Sequence, residues 1–251
     1  KMERLRAILD LIDKYFPDCQ MINMDATVTS IRLKSDEELQ ELYDRKVRHL
    51  YLGIESGLDD VLKFMRKEHT QDQAYKEIAR IQRVGLIFDA HVMSGVAGKG
   101  RGQENAIALA EFLNKTQPDR IVNFSLFLHN QVALYEDIKS GAFIPADEVE
   151  NMEEERTLIE LLKEGPDGHQ MLYDGFNDFL ELRVKGKVPK DAPRMIEKLT
   201  EAIEKYKDEP PIYAYVRGDC PDLSMCDGGR WLWEMDDSKL AQYNEKEKKL
   251  S

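Results

Sequence analysis

Apolar positions along the first 130 residues switch repeatedly between two spacings. Leu5, Ile8, Leu9 and Ile12 fall on one face of a helix over 2–15, which Pro17 stops, and residues 20–26 then read as a strand. Ser35 and Glu38 head the next helical stretch, 36–45, in the pairing where each side chain caps the other's backbone amide. A strand over 48–54 and a short helix over 59–65 follow. Thr70 and Gln73 repeat the capping pair, and Gly85 closes that helix where a left-handed residue is wanted. Residues 86–93 read as strand, 104–115 as a helix broken by Pro118, and 121–128 as strand. Strand starts near 20, 48, 86 and 121, each strand followed by helix, predict a parallel sheet with right-handed crossovers.

Beyond Leu128 the spacing turns helical, over 132–140, 148–163 and 191–207, and the chain ends in a Tyr- and Trp-bearing tail with a charged stretch over 244–251. No Gly/Ser or Pro-rich linker intervenes. The expected architecture is α/β: a parallel βα repeat over 1–130 and a helical portion over 131–251 packed on the same domain.

With 42% hydrophobic residues the chain can build a core of that size. Its 36 Lys and Arg against 48 Asp and Glu leave a net charge of −12 and no basic tract, which argues against a nucleic-acid partner. The apolar runs fall short of the roughly 20 residues of a membrane span and the first helix is amphipathic, so no membrane partner and a cytoplasmic location are expected. Three cysteines, Cys19, Cys220 and Cys226, fit a reducing compartment. The six-residue spacing of the last two matches no standard zinc or iron–sulfur site.

Candidate chemistry collects where strands end. The apolar run HLYLGI stops at Glu55, Ser56 and Gly57, the place where parallel α/β proteins present ligand-binding groups. A bland reading stands beside it, in which Ser56 caps the next helix and Glu55 favours its positive end. Gly95, Gly98, Gly100 and Gly102 form a loop whose amides could receive a carboxylate or an adenine edge, or which simply joins strand to helix. Lys99 is followed by Gly100 and not by Ser or Thr, so it is not a phosphate loop of the Walker type. Asn123, Ser125, His129 and Asn130, on and beyond the last predicted strand, suit a pocket lining or a structural role.

In order, TSIRLKSDEELQEL, HLYLGIESGLDDVLKFMRKEHT, VGLIFDAHVMSGVAGKGRGQENAIALAEFLN and PDRIVNFSLFLHN resemble the later strands of a radical S-adenosylmethionine enzyme. They are most like the iron–sulfur oxidoreductases related to oxygen-independent coproporphyrinogen III oxidase. The resemblance implies an incomplete (β/α) barrel of the TIM type with a C-terminal helical appendage, and it implies roles. Glu55, with Ser56 beside it, would meet the cofactor ribose, Lys67 in RKEHT the methionyl carboxylate, and His91 the ribose from the next strand, with Gly95 and Gly98 lining the cofactor. The family's [4Fe–4S] cluster needs three thiolates in a Cys-x-x-x-Cys-x-x-Cys loop. No such loop exists among these 251 residues.

By that likeness the chain is a truncated oxidoreductase of the radical type, which by itself stably holds neither the cluster nor S-adenosylmethionine. Two other readings compete. One is a binding remnant for a small ligand or a protein, and the other is a different enzyme using Glu55 and His91 as an acid and base pair. Loss of neighbouring strands would leave 20–26 as an open edge beside an apolar helix, which predicts a homodimer through residues 2–26.

Overall fold

The computed structural model describes residues 2–129, 131–177 and 180–216. Helix α1 (Met2–Tyr15) leads into strand β1 (Ile22–Ala26), helices α2 (Val28–Arg32) and α3 (Asp36–Asp44) and strand β2 (Val47–Glu55). Helices α4 (Asp59–Phe64) and α5 (Gln71–Arg83), strand β3 (Ile87–Ser94), helix α6 (Gly102–Thr116) and strand β4 (Arg120–Ser125) continue the alternation. After them come β5 (Leu128–His129), α7 (Ala133–Lys139), α8 (Glu148–Leu161), β6 (Met171–Asn177), β7 (Leu182–Val188), α9 (Ala192–Tyr206) and β8 (Tyr215–Val216).

The main sheet runs β1-β2-β3-β4-β6-β7, parallel through β6 and antiparallel at β7, while β5 and β8 pair separately. Sequential order with one hand of crossover places the connecting helices on a single face, as in the wall of a barrel. Leu50, Leu52 and Ile54 of β2 and Phe88, Ala90 and Val92 of β3 are buried toward that layer. His49, Tyr51, Gly53 and Glu55 of β2, with Asp89, His91 and Met93 of β3, alternate onto the second face.

Both capping boxes form. Glu38 N donates to Ser35 Oγ at 3.2 Å while Ser35 N donates to Glu38 Oε2 at 3.0 Å, and Thr70 N donates to Gln73 Oε1 at 3.2 Å. Gly85 adopts φ 85°, the left-handed closure its position requires.

The C-terminal portion departs from a purely helical reading. Helices stand at both expected places, but β6 and β7 lie between them and extend the sheet. In β7, Leu182, Val184, Gly186 and Val188 alternate with Arg183, Lys185 and Lys187, a period-two pattern. In β6 the turn-like Asp174 and Gly175 disguise the strand. Asp174 is held there by Arg183 and Lys185 of the neighbouring strand, at 2.8 and 3.1 Å. Nor is α8 an appendage: Met152, Leu158 and Ile159 enter the main core, and the helix packs on both α6 and α9. Cys220, Cys226 and the aromatic tail lie outside the described residues.

Gly57 shows how tightly the β2 to α4 turn meets the helical layer. A Cβ there would overlap the Ala108 carbonyl carbon and Leu109 N and would sit 2.8 Å from Leu109 Cα, all backbone of α6. At Gly53 the nearest atom is Glu55 Oε1, at 2.7 Å, the end of a side chain that can swing away. Gly57→Ala is therefore expected to lower unfolding free energy by roughly 1–3 kcal/mol, with Gly53→Ala close to neutral, as read by urea denaturation of the two variants.

Candidate functional site

Register lines up the second face in rows. Asp25, Tyr51, Asp89 and Arg120 are consecutive partners across β1 to β4, and Gly53, His91, Val122 and Asp174 form the next such row from β2 to β6. Rings bridge the strands: Tyr51 and His91 lie 5.1 Å apart, His91 and Phe124 5.8 Å, and Phe124 and Phe176 5.7 Å, with the Arg183 guanidinium 4.5 Å over Phe176. Phe124 is 37% exposed, so this aromatic band includes surface a planar ligand can reach.

Glu55 ends β2 with φ 64°, a left-handed conformation costly for a side-chain-bearing residue, at a register shift between Gly53 and Glu55. Gly53 lacks the Cβ that would collide with the carboxylate, which folds back over it and pairs with Lys67 Nζ at 2.7 Å. Two residues predicted separately thus meet. His69, two positions beyond Lys67, is 7% exposed and its Nε2 has no hydrogen-bond partner among the described residues. Burial pushes its pKa down, and the Lys67 charge adds to this. The sequence offered His69 in RKEHT, but only its burial beside this ion pair marks it out.

The remaining predicted residues divide. Ser56 is fully buried and faces inward: its Oγ donates to Asn105 Oδ1 at 2.6 Å, Gly57 N donates to the same oxygen at 3.2 Å, and Leu58 N donates to Ser56 Oγ at 3.1 Å. It is committed to the turn. His91 sits in the aromatic band, between Tyr51 and Phe124, and forms no direct hydrogen bond with Glu55. Three amides of the glycine loop are taken by the chain's own acceptors. Gly95 N donates to Glu154 Oε2 at 2.9 Å, Gly98 N to the Gly95 carbonyl at 3.0 Å, and Gly100 N to Glu150 Oε1. Gly98 borders a cleft of about 380 Å³ that Phe64 and Phe143 also line. Ser125 is part of the buried network below, His129 lies on β5, and Asn130 is outside the described residues.

Behind the strand tips α8 buries three carboxyl groups. Glu154 Oε1 accepts from Asn105 Nδ2 at 2.7 Å, and Glu155 accepts from Tyr173 Oη at 3.0 Å and Asn177 Nδ2 at 2.8 Å. Glu148 accepts from Asn151 Nδ2 at 2.9 Å and lies 3.1 Å from Ser125 Oγ, which is itself 2.6 Å from Asn177 Oδ1. A hydroxyl has one proton. Given to Asn177, it leaves the Glu148 contact to be filled by a proton on the carboxyl. Burial drives the same way, pushing Glu148, Glu154 and Glu155 each up to about 7.

No family model matches the chain. It is similar to tRNA-2-methylthio-N(6)-dimethylallyladenosine synthase of Acinetobacter baumannii, 31% identical over 101 residues, which is 38% of this chain and 20% of that protein. It is also similar to tRNA uridine(34) acetyltransferase of Methanocaldococcus infernus, 24% identical over 120 residues, or 47% of this chain and 22% of that protein. These matches span about a fifth of the relatives' length. Among solved structures, Elp3 of Methanocaldococcus infernus with an N-terminal deletion superposes on 74% of this chain and 42% of its own with a TM-score of 0.55 at 18% identity, a likeness of fold. Among the described residues no helix is long and apolar enough to cross a membrane.

A carboxyl whose pKa rises from 4.5 to about 7 on folding stabilises the protein below pH 4.5 and loses that contribution as pH rises through 7. In Glu148→Gln the amide reproduces the protonated form, accepting from Asn151 and donating to Ser125. The variant is expected to match the parent at pH 5 and to exceed it by roughly 1–3 kcal/mol at pH 8, measured by urea unfolding at both values.

Proposed function

We propose that this chain is part of a barrel of the radical S-adenosylmethionine type and that its strand tips and second face bind the nucleoside end of that cofactor. The observation that carries this reading is Glu55, strained at the end of β2, folded over Gly53 and paired with Lys67 beside His69, whose Nε2 meets no partner among the described residues. Strain of this kind persists where surrounding structure holds it, and such positions cluster at ligand sites. A carboxylate suits the two ribose hydroxyls as acceptor, and the ammonium suits an anionic carboxylate. His91 and the aromatic band then offer a surface for the planar base. S-adenosylmethionine brings the sulfonium whose reductive cleavage begins radical chemistry in that family.

The residues present do not fit a [4Fe–4S] cluster. Cys19 precedes β1 and its Sγ donates to the Met21 carbonyl at 3.4 Å, with no second cysteine among the described residues. What this chain's own groups do is bind and orient. The sequence motifs favour the oxidoreductase branch related to coproporphyrinogen oxidase, whereas the segment matches are to tRNA-modifying enzymes. A net charge of −12 sets this part of the molecule against holding a polyanion, and a small molecule remains the proposed ligand.

Calorimetric titration with S-adenosylhomocysteine, which keeps the ribose and carboxylate and lacks the sulfonium, tests the site without any cluster. Saturable weak binding is expected, weakened about tenfold or more by Glu55→Gln and by Lys67→Ala, each losing a charge-assisted contact of roughly 1.5–3 kcal/mol. Binding that both variants leave unchanged, or none at millimolar ligand, would refute the assignment.

Beside this site we propose a homodimer through residues 2–26. Strand β1 is an outer edge of the sheet, and Ile8, Leu11 and Tyr15 of α1, with Phe16 and Met21 in the connection to β1, are between 50% and 65% exposed. Leu11→Lys, on the exposed side of α1, is expected to convert a dimer to monomer in light scattering; a parent protein that is already monomeric contradicts the proposal.

A further inference from the structure

At the opposite end of the same face from Glu55, His49, Asp89 and Asp119 bring one ligating atom each within 4.8 Å of one another. His49 Nδ1 lies 2.7 Å from Asp89 Oδ2. The Asp89 side chain has no solvent exposure, and among the described residues no donor reaches its other oxygen, Oδ1. A buried carboxylate with a bare oxygen costs roughly 1–3 kcal/mol or more, a cost that a bound cation would offset. Arg120, its register neighbour on β4, forms no ion pair with it among the described residues.

We infer that His49, Asp89 and Asp119 form a site for a divalent transition cation, with Zn²⁺ the best match to the ligand set. One imidazole and two carboxylates leave a fourth position for water. An imidazole favours zinc and its neighbours over calcium or magnesium, which prefer all-oxygen sites. Bonds of about 2.0–2.2 Å require ligand atoms roughly 3–3.5 Å apart. The Nδ1 to Oδ2 separation therefore has to open slightly as the shared proton leaves, and the exposed Asp119 carboxylate has to move in by about an ångström. Its backbone is already anchored, since Asp119 N donates to the Phe88 carbonyl and its own carbonyl accepts from Leu172 N, both at 2.9 Å. The ion would join β2, β3 and the turn entering β4 near the amino ends of the strands, the end of such barrels that serves stability more than chemistry.

The test uses the full chain stripped by chelator and then titrated with Zn²⁺ alone, followed by elemental analysis and thermal unfolding. One equivalent bound with a raised Tm is expected. Asp119→Asn, an exposed change that leaves the sheet intact, should weaken binding at least tenfold, and His49→Gln should abolish it. Arg120→Met should tighten binding by removing a competing positive charge. With Co²⁺ in place of zinc, the spectrum should lack thiolate charge-transfer bands. Absence of stoichiometric binding overturns the site, as does binding that survives Asp119→Asn, or thiolate bands pointing to Cys220 and Cys226. An Arg120→Met variant that is destabilised with its zinc response unchanged would show that the arginine satisfies Asp89, and would also overturn it.

Discussion

A carboxyl group taken out of water has to be met by donors or take up a proton, and α8 buries three of them against the ends of the sheet. Glu154 reaches the end of β3 at Gly95 and, through Asn105, the end of β2 at Ser56. Glu148 and Glu155 reach Ser125 of β4 and Tyr173 and Asn177 of β6. Four strand ends therefore share one set of hydrogen bonds with one helix. The backbone accommodates it, since a Cβ at Gly175 would occupy the place of Glu155 Oε1 and one at Gly95 would overlap Asn151 Oδ1. Such a network specifies one arrangement because any shift of α8 would leave several buried groups unpaired at once.

That fixed frame lets the strand tips carry strain. Glu55 keeps a left-handed conformation because the turn after it is pinned by Ser56 and Gly57 to Asn105 and by close packing on α6. Polar groups on the helical side do structural work, while on the second face Glu55, Lys67 and His91 keep some exposure to solvent. The same face holds a second polar cluster at the other end of the strands. The two clusters are separated by the aromatic band, so a ligand at one need not disturb the other.

The βα repeat was legible because its signals are local. Periodicity, two capping boxes and Gly85 each involve residues within one turn or one strand of each other. At the ends of the chain's pattern the signals fail for physical reasons. Asp174 and Gly175 look like a turn until Arg183, Lys185 and Glu155 are brought beside them, and the alternation in LRVKGKV is short and edged by lysines, as an outer strand should be. Helix α8 stands where its spacing placed it, but its burial in the core was hidden because most of what it buries is acid and amide.

Sequence alone determined the parallel α/β class, the order of the first four strands and the likeness that singled out Glu55, Lys67 and His91. It could not distinguish Ser56 as a buried strut from Ser56 as a ligand, nor see that the glycine loop spends its amides on Glu154 and Glu150. Nor could it bring His49, Asp89 and Asp119 together from positions 40 and 30 residues apart. Those decisions belong to tertiary structure, because the free energy of a buried polar group depends on which partner from a distant element stands within hydrogen-bond reach, and no local pattern encodes that distance.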